Sequence, residues 1–127
     1  MFEGYVPTES EEQIMVFQWA DLLSDKVPEL TLLHHIPNGG LRHPATAARM
    51  KAEGVKAGVP DLFLPVPRIG YHGLYIEMKK ADHSNRPSRE QRWWIEKLQR
   101  QGYCAEVAYG SADAIYLISN YLGIENV

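Results

Sequence analysis

Only one cysteine, Cys104, occurs in the 127 residues. That excludes an internal disulfide and a cysteine-built zinc cluster, so a bound metal has to be held by oxygen or imidazole ligands. No stretch approaches the roughly 18 uninterrupted apolar residues needed to cross a bilayer. The opening Met1-Phe2-Glu3-Gly4-Tyr5 lacks the basic segment and apolar run of a secretory signal. A membrane partner is therefore not expected, and a cytoplasmic setting is. A basic excess is missing too: the net charge is −3, which argues against a phosphate-binding surface spread over the whole molecule. Internal repeats and low-complexity segments are also lacking, and the length suits one domain spanning 1–127, since domains run to about 100–200 residues.

The charges that are present are unevenly placed. Glu3, Glu9, Glu11 and Glu12 crowd the first twelve positions, whereas Arg42, Arg49, Lys51 and Lys56 cluster centrally, followed by Lys79, Lys80, Arg86, Arg89 and Arg92. Arg42, Arg49, Lys51 and Lys56 are candidates for phosphate contacts; the alternative is a solvated charged face.

Thr8-Glu9-Ser10-Glu11 and Ser10-Glu11-Glu12-Gln13 both fit a capping box, and Ile14, Met15, Phe17, Trp19, Leu22 and Leu23 predict a first helix to about Ser24. Thr31 to Ile36 reads as a short strand ended by Pro37-Asn38-Gly39-Gly40. Pro44 suits the start of a helix that Gly54 stops. Two strands, Asp61–Leu64 and Leu74–Met78, flank a loop rich in proline and glycine and predict a hairpin. Ser88-Arg89-Glu90-Gln91 opens a further helix, Tyr103 to Tyr109 is a buried strand, and Ala112 to Leu122 a last helix. The order is α-β-α-β-β-α-β-α, and the late βαβ step implies a parallel pair in a mixed α/β sheet.

Antiparallel pairing of the hairpin about Ile69 sets Asp61 opposite Glu77 and turns Leu62, Leu64, Leu74 and Ile76 to one aliphatic face. Asp61, Phe63, Tyr75, Glu77 and Lys79 then share the other face. Opposed residues have Cβ atoms roughly 4.5–5.5 Å apart, where two carboxylates repel unless a cation joins them. Hard oxygen ligands favour Mg²⁺ or Mn²⁺, which suits phosphodiester hydrolysis. Lys79 would orient water or stabilise transition-state charge; an ordinary lysine is protonated near neutrality, which argues against a general base. The competing reading is an ion pair on a strand surface.

Gly58-Val59-Pro60-Asp61 followed by Glu77-Met78-Lys79 resembles the bipartite PD…(D/E)xK signature in the form carried by the VRR-NUC (virus-type replication-repair nuclease) family. His35-Ile36-Pro37-Asn38-Gly39-Gly40, Gly54 to Ala57, Ser88 to Gln91 and Gly102-Tyr103 extend the likeness over roughly 10–122, in the stand-alone form of bacteriophages and prophages. The resemblance implies a restriction-endonuclease-like mixed β-sheet flanked by helices and metal-dependent cleavage of DNA in a bacterial or phage-infected cell. It also implies a first-helix glutamate in the site. Glu11 matches best because Ile14, three residues on, begins the apolar face; Glu12 is the rival, and helix-end capping is the ordinary role of either. The Met78 carbonyl is a further metal contact implied by the resemblance, its side chain being core. Gln91 is either the reciprocal partner of Ser88 in the cap or a polar group beside the site. The expectation is an endonuclease selective for four-way junctions or flaps in recombination or repair, as a homodimer if both arms of a junction are cut. The alternative is a non-catalytic DNA-binding accessory module.

His34 and His35, adjacent on a strand, face opposite sides, and no zinc spacing occurs. Trp93 and Trp94 are both candidates for stacking bases, at least one of them is expected to pack on the sheet, and Trp94 is the better fit to the core.

Overall fold

Helix α1 (Glu9–Leu23) opens on a capping box in which the Thr8 hydroxyl accepts the Glu11 amide at 3.1 Å and the Glu11 carboxylate accepts the Thr8 amide at 2.9 Å. Of the two boxes the sequence offers, the first is used. The computed structural model describes residues 4–38 and 43–125. The buried residues of α1 are Glu12, Val16 and Ala20, successive positions of one helical stripe. Ile14, Met15 and Leu22, expected on the apolar face, are exposed, Leu22 by 87%.

The strand expected over Thr31–Ile36 is shorter than the sequence suggests. Pro28 starts a 3₁₀ turn through Leu32, leaving only His34–His35 as β1. Proline's fixed φ and missing amide suit the first turn of such a helix, which takes up the residues before the strand. Helix α2 (Pro44–Ala52) begins on proline as expected and has no buried residue.

Strands β2 (Leu62–Leu64) and β3 (Leu74–Lys79) pair antiparallel with Leu62 opposite Ile76 and Leu64 opposite Leu74. One step further, Asp61 stands opposite Glu77, the register expected from the aliphatic face. Helix α3 (Arg89–Arg100) then crosses to β4 (Cys104–Tyr109), which pairs parallel with β3 and leads into α4 (Ser111–Leu122). Among the described residues the four strands form one mixed sheet in the order β1-β2-β3-β4. Leu62, Leu64, Leu74 and Ile76 pack with Val16 and Ala20 of α1 and Ala114 and Ile118 of α4 to form the core. Full burial of such side chains stabilises by about 1.5–3 kcal/mol each.

Two glycines permit close approaches near the sheet's C-terminal end. Gly110, at φ +92°, ends β4 where a Cβ would come within 2.4 Å of Glu12 Oε2. Gly58, also at φ +92°, lets the first turn of α3 lie against the segment leading to Asp61; a Cβ there would sit 2.8 Å from the Glu90 backbone. No helix among the described residues is long and apolar enough to cross a membrane.

Candidate metal centre

Asp61 is held on both sides. Its carbonyl accepts the Ile36 amide at 2.7 Å and lies 2.8 Å from His35 Nδ1, so β1 fixes its backbone. Its carboxylate reaches across the hairpin, where Oδ2 accepts the Met78 amide at 2.8 Å. Pairing of the strands thus carries the side chain directly to β3.

Glu77 and Lys79 lie on β3 two residues apart and so share a face. Both are buried, at 1% and 6% exposure. The Lys79 ammonium lies 3.5 Å from Glu77 Oε2 and 3.9 Å from Glu9 Oε1. Glu9, Asp61 and Glu77 each place one carboxylate oxygen within 4.8 Å of the other two. Three carboxylates therefore face one ammonium. Burial, reinforced by the neighbouring Asp61 charge and opposed by Lys79, pushes the Glu77 carboxyl up to about 9. Glu77 Oε1 is buried and has no hydrogen-bond partner among the described residues.

The donor set fits a hard divalent cation. An unpartnered buried carboxylate oxygen costs free energy unless a proton or a metal satisfies it. Mg²⁺ takes oxygen ligands at about 2.0–2.1 Å and needs only a few from the protein, and no cysteine or histidine belongs to the group.

The α1 glutamate at this cluster is Glu9, not the expected Glu11. Glu9 lies three residues before Glu12 and seven before Val16, on the stripe that α1 turns inward. Glu11 lies off it, with its carboxylate engaged by the Thr8 amide and the Tyr5 hydroxyl, which hold its pKa below the usual carboxylate range. Glu12 is not at the cluster either. Its Oε2 accepts the Ser111 amide at 3.0 Å and its Oε1 the Ser111 hydroxyl at 3.3 Å, so it caps α4 rather than its own helix. Asn85 was not anticipated at all. Its amide nitrogen donates to Glu9 Oε2 while its Oδ1 accepts the Lys80 amide at 3.0 Å, tying Glu9 to the β3–α3 connection. Glu9 shares a stripe with Val16 in the sequence, a usable signal; Asn85, 76 residues from Glu9, offers none.

Gln91 serves the cap of α3: its Oε1 accepts the Ser88 amide at 2.7 Å and its own amide donates to Ser88 Oγ at 3.1 Å. The Met78 side chain is core, while its main chain adjoins Asp61. Arg49, Lys51 and Lys56 are exposed on and after α2. Arg49 is 3.9 Å from Glu53, an exposed pair of the kind that contributes little. Arg42 lies outside the described residues. Trp94 is half-buried and donates its indole N–H to the Ala57 carbonyl at 3.1 Å, while Trp93 is exposed.

A mixed sheet that assembles a carboxylate at the foot of one strand, a second on its neighbour, a lysine two residues beyond the second and a helix-borne glutamate is a nuclease-type fold. The model of the VRR-NUC domain matches residues 7–112, and the chain belongs to that family. It is similar to a solved structure described as a VRR-NUC domain protein, with 34% sequence identity over 96% of this chain and 93% of that one, at a TM-score of 0.77. Comparison with the curated proteins gives no match.

Proposed function

We propose that this chain is a divalent-metal-dependent DNA endonuclease that hydrolyses phosphodiester bonds at the Glu9–Asp61–Glu77 cluster. The observation that carries the reading is the meeting of three carboxylates within 4.8 Å around the buried, unpartnered Glu77 Oε1. Glu9, Asp61 and Glu77, with the Met78 carbonyl as a further candidate, would hold Mg²⁺ or Mn²⁺. Such an ion polarises a scissile phosphate and acidifies water. Asp61 is oriented for its part by the Met78 amide, and Glu9 by Asn85. Lys79, within 4 Å of Glu9 and Glu77, donates hydrogen bonds that orient the attacking water or counter charge developing on the phosphate. Arg49, Lys51, Lys56 and Arg42 are assigned to the DNA backbone. Gln91 is assigned to the helix cap.

Family membership supports DNA as the substrate class. Four-way junctions or flaps are the proposed targets, with two copies joined by a two-fold axis so that paired strands are cut together. Incubation of linear, flapped and four-way DNA with Mg²⁺ or Mn²⁺, beside an EDTA control and Glu77→Ala, tests the reading. Cutting of branched DNA that needs both metal and Glu77 is expected. Binding without cutting under any metal would make the chain an accessory module instead, equal activity of the variant would remove the site assignment, and a monomer that still makes paired cuts would remove the dimer.

A further inference from the structure

Trp93 is 52% exposed although indole is the largest apolar side chain, and it stands on α3 away from the carboxylate cluster. Its surroundings are built rather than incidental. Trp94 packs edge-on against it, with ring centroids 5.5 Å apart and planes at 83°, and is itself anchored by its bond to the Ala57 carbonyl. The two indoles line a shallow cleft of about 240 Å³ with Ala57, Arg89 and Glu90. Along the helix, Arg89, Trp93 and Lys97 recur every four residues and so form one stripe, with steps of about 6 Å. The Lys97 ammonium lies 5.7 Å from the Trp93 ring centroid. Lys97 thus sits over the ring, Arg89 stands one turn before it on the same stripe, and about half of the indole is open to solvent.

We infer that Trp93 is a stacking platform for one unpaired base of the DNA substrate, with Arg89 and Lys97 meeting the phosphates that flank it. This inference rests on the nuclease reading and narrows its substrate to DNA with a single-stranded or frayed segment. An aromatic face accepts any base by stacking, and cations spaced along it follow the backbone. Charge complementarity favours DNA over a protein occupant: Arg89, Arg92, Lys97 and Arg100 on α3, with Lys56 on the segment before Ala57, outnumber the two acids of the helix, Glu90 at the cleft and Glu96, which Arg100 engages at 2.7 Å. A short stretch of chain links the cleft to the cutting site. Ala57 precedes Asp61 by four residues, a Cα separation of at most about 14 Å, which is about four nucleotides of a B-form strand at about 3.4 Å each.

Fluorescence anisotropy in EDTA, where nothing is cut, separates this inference from the nuclease reading. The probes are a labelled blunt duplex, the same duplex with a single-stranded flap, and the flap strand alone. Trp93→Ala is expected to weaken binding of the flapped and single-stranded probes by about 5- to 150-fold, the loss of one aromatic stacking partner, and of the blunt duplex by less than about twofold. Trp93→Phe should retain most of the affinity. Equal losses on all three probes, no loss on any, or a Phe variant as weak as the Ala variant would overturn the inference. So would Trp93→Ala changing the sedimentation of the protein while leaving DNA binding intact, since the patch would then be a protein interface. A stacking effect without metal-dependent cutting would sink the nuclease reading alone, and metal-dependent cutting without a stacking effect would sink this one alone.

Discussion

Replacement of Glu77 by glutamine removes an ionisable group from a fully buried position and leaves its shape nearly unchanged. With its carboxyl pushed up to about 9, Glu77 is protonated at neutral pH in the metal-free protein, whereas in the unfolded chain it ionises near the ordinary value of 4.5. Between those values the folded state holds a proton that the unfolded state has released. The stability this gives is fully present below about 4.5 and is lost as pH rises towards 9. One proton corresponds to about 1.4 kcal/mol per pH unit, so between pH 6 and pH 8 the wild type should lose about 2–3 kcal/mol relative to Glu77→Gln. Metal acts in the opposite sense, because it replaces the proton. At one hundred times its Kd it contributes about 2.7 kcal/mol, equivalent to a rise in Tm of about 10 °C for a domain of this size. Urea titrations of both proteins across this pH range, with thermal melts in EDTA and in Mn²⁺, give both quantities. Calorimetric titration in buffers of different ionisation enthalpy should show about one proton released per metal bound by the wild type at neutral pH. A variant with the wild-type pH slope, or with the full metal-induced rise in Tm, would refute the assignment of the raised carboxyl and of the ligand to Glu77.

The remaining predictions concern the residues around it. Glu9→Gln should reduce metal-dependent cleavage by more than the about 10–100-fold that loss of an outer-shell partner costs, while Glu11→Gln leaves the cleavage rate within about twofold and loosens only a helix cap; single-turnover assays on one branched substrate compare them. Asn85→Ala should weaken metal binding by about tenfold because it frees Glu9, and should lower the metal-free melting temperature by a few degrees because the Lys80 amide loses its acceptor; the Mn²⁺ dependence of the cleavage rate and melts in EDTA read the two effects. Gly110→Ala forces a Cβ into Glu12 Oε2 at positive φ and should destabilise the fold by about 2–4 kcal/mol in urea unfolding.

The hairpin was legible because its information is local. With a period of two, only registers that oppose leucines or isoleucine to one another gather Leu62, Leu64, Leu74 and Ile76 on a single face, and centring the loop near Ile69 selects the one that sets Asp61 against Glu77, without reference to the rest of the chain. The caps of α1 and α3 were legible for the same reason, since a hydroxyl and an acid or amide three residues apart meet through the helix's own geometry. The same signal at Ser88 left Gln91 with two roles until its bonds were placed.

The rotation of α1 about its axis is a different kind of quantity. Its apolar residues define it only in part: Phe17, Trp19 and Leu23 pack against the core, whereas Ile14, Met15 and Leu22 are exposed and Glu12 is buried. Apolar periodicity locates the inward face of a helix only when that face is apolar. Here the stripe that carries Val16 and Ala20 into the core continues towards the N-terminus through Glu12, which caps α4, to Glu9, which reaches Lys79 and Asn85. Acids occupy the inward face where the helix leaves the core and meets the carboxyl ends of the strands, so counting from Ile14 selects Glu11 and counting back from Val16 selects Glu9. The departure from a simple amphipathic pattern falls at the candidate site, where local preference is expected to give way to chemistry. Asn85 extends the point, since its value lies wholly in a partner 76 residues away that only the closed fold brings within reach.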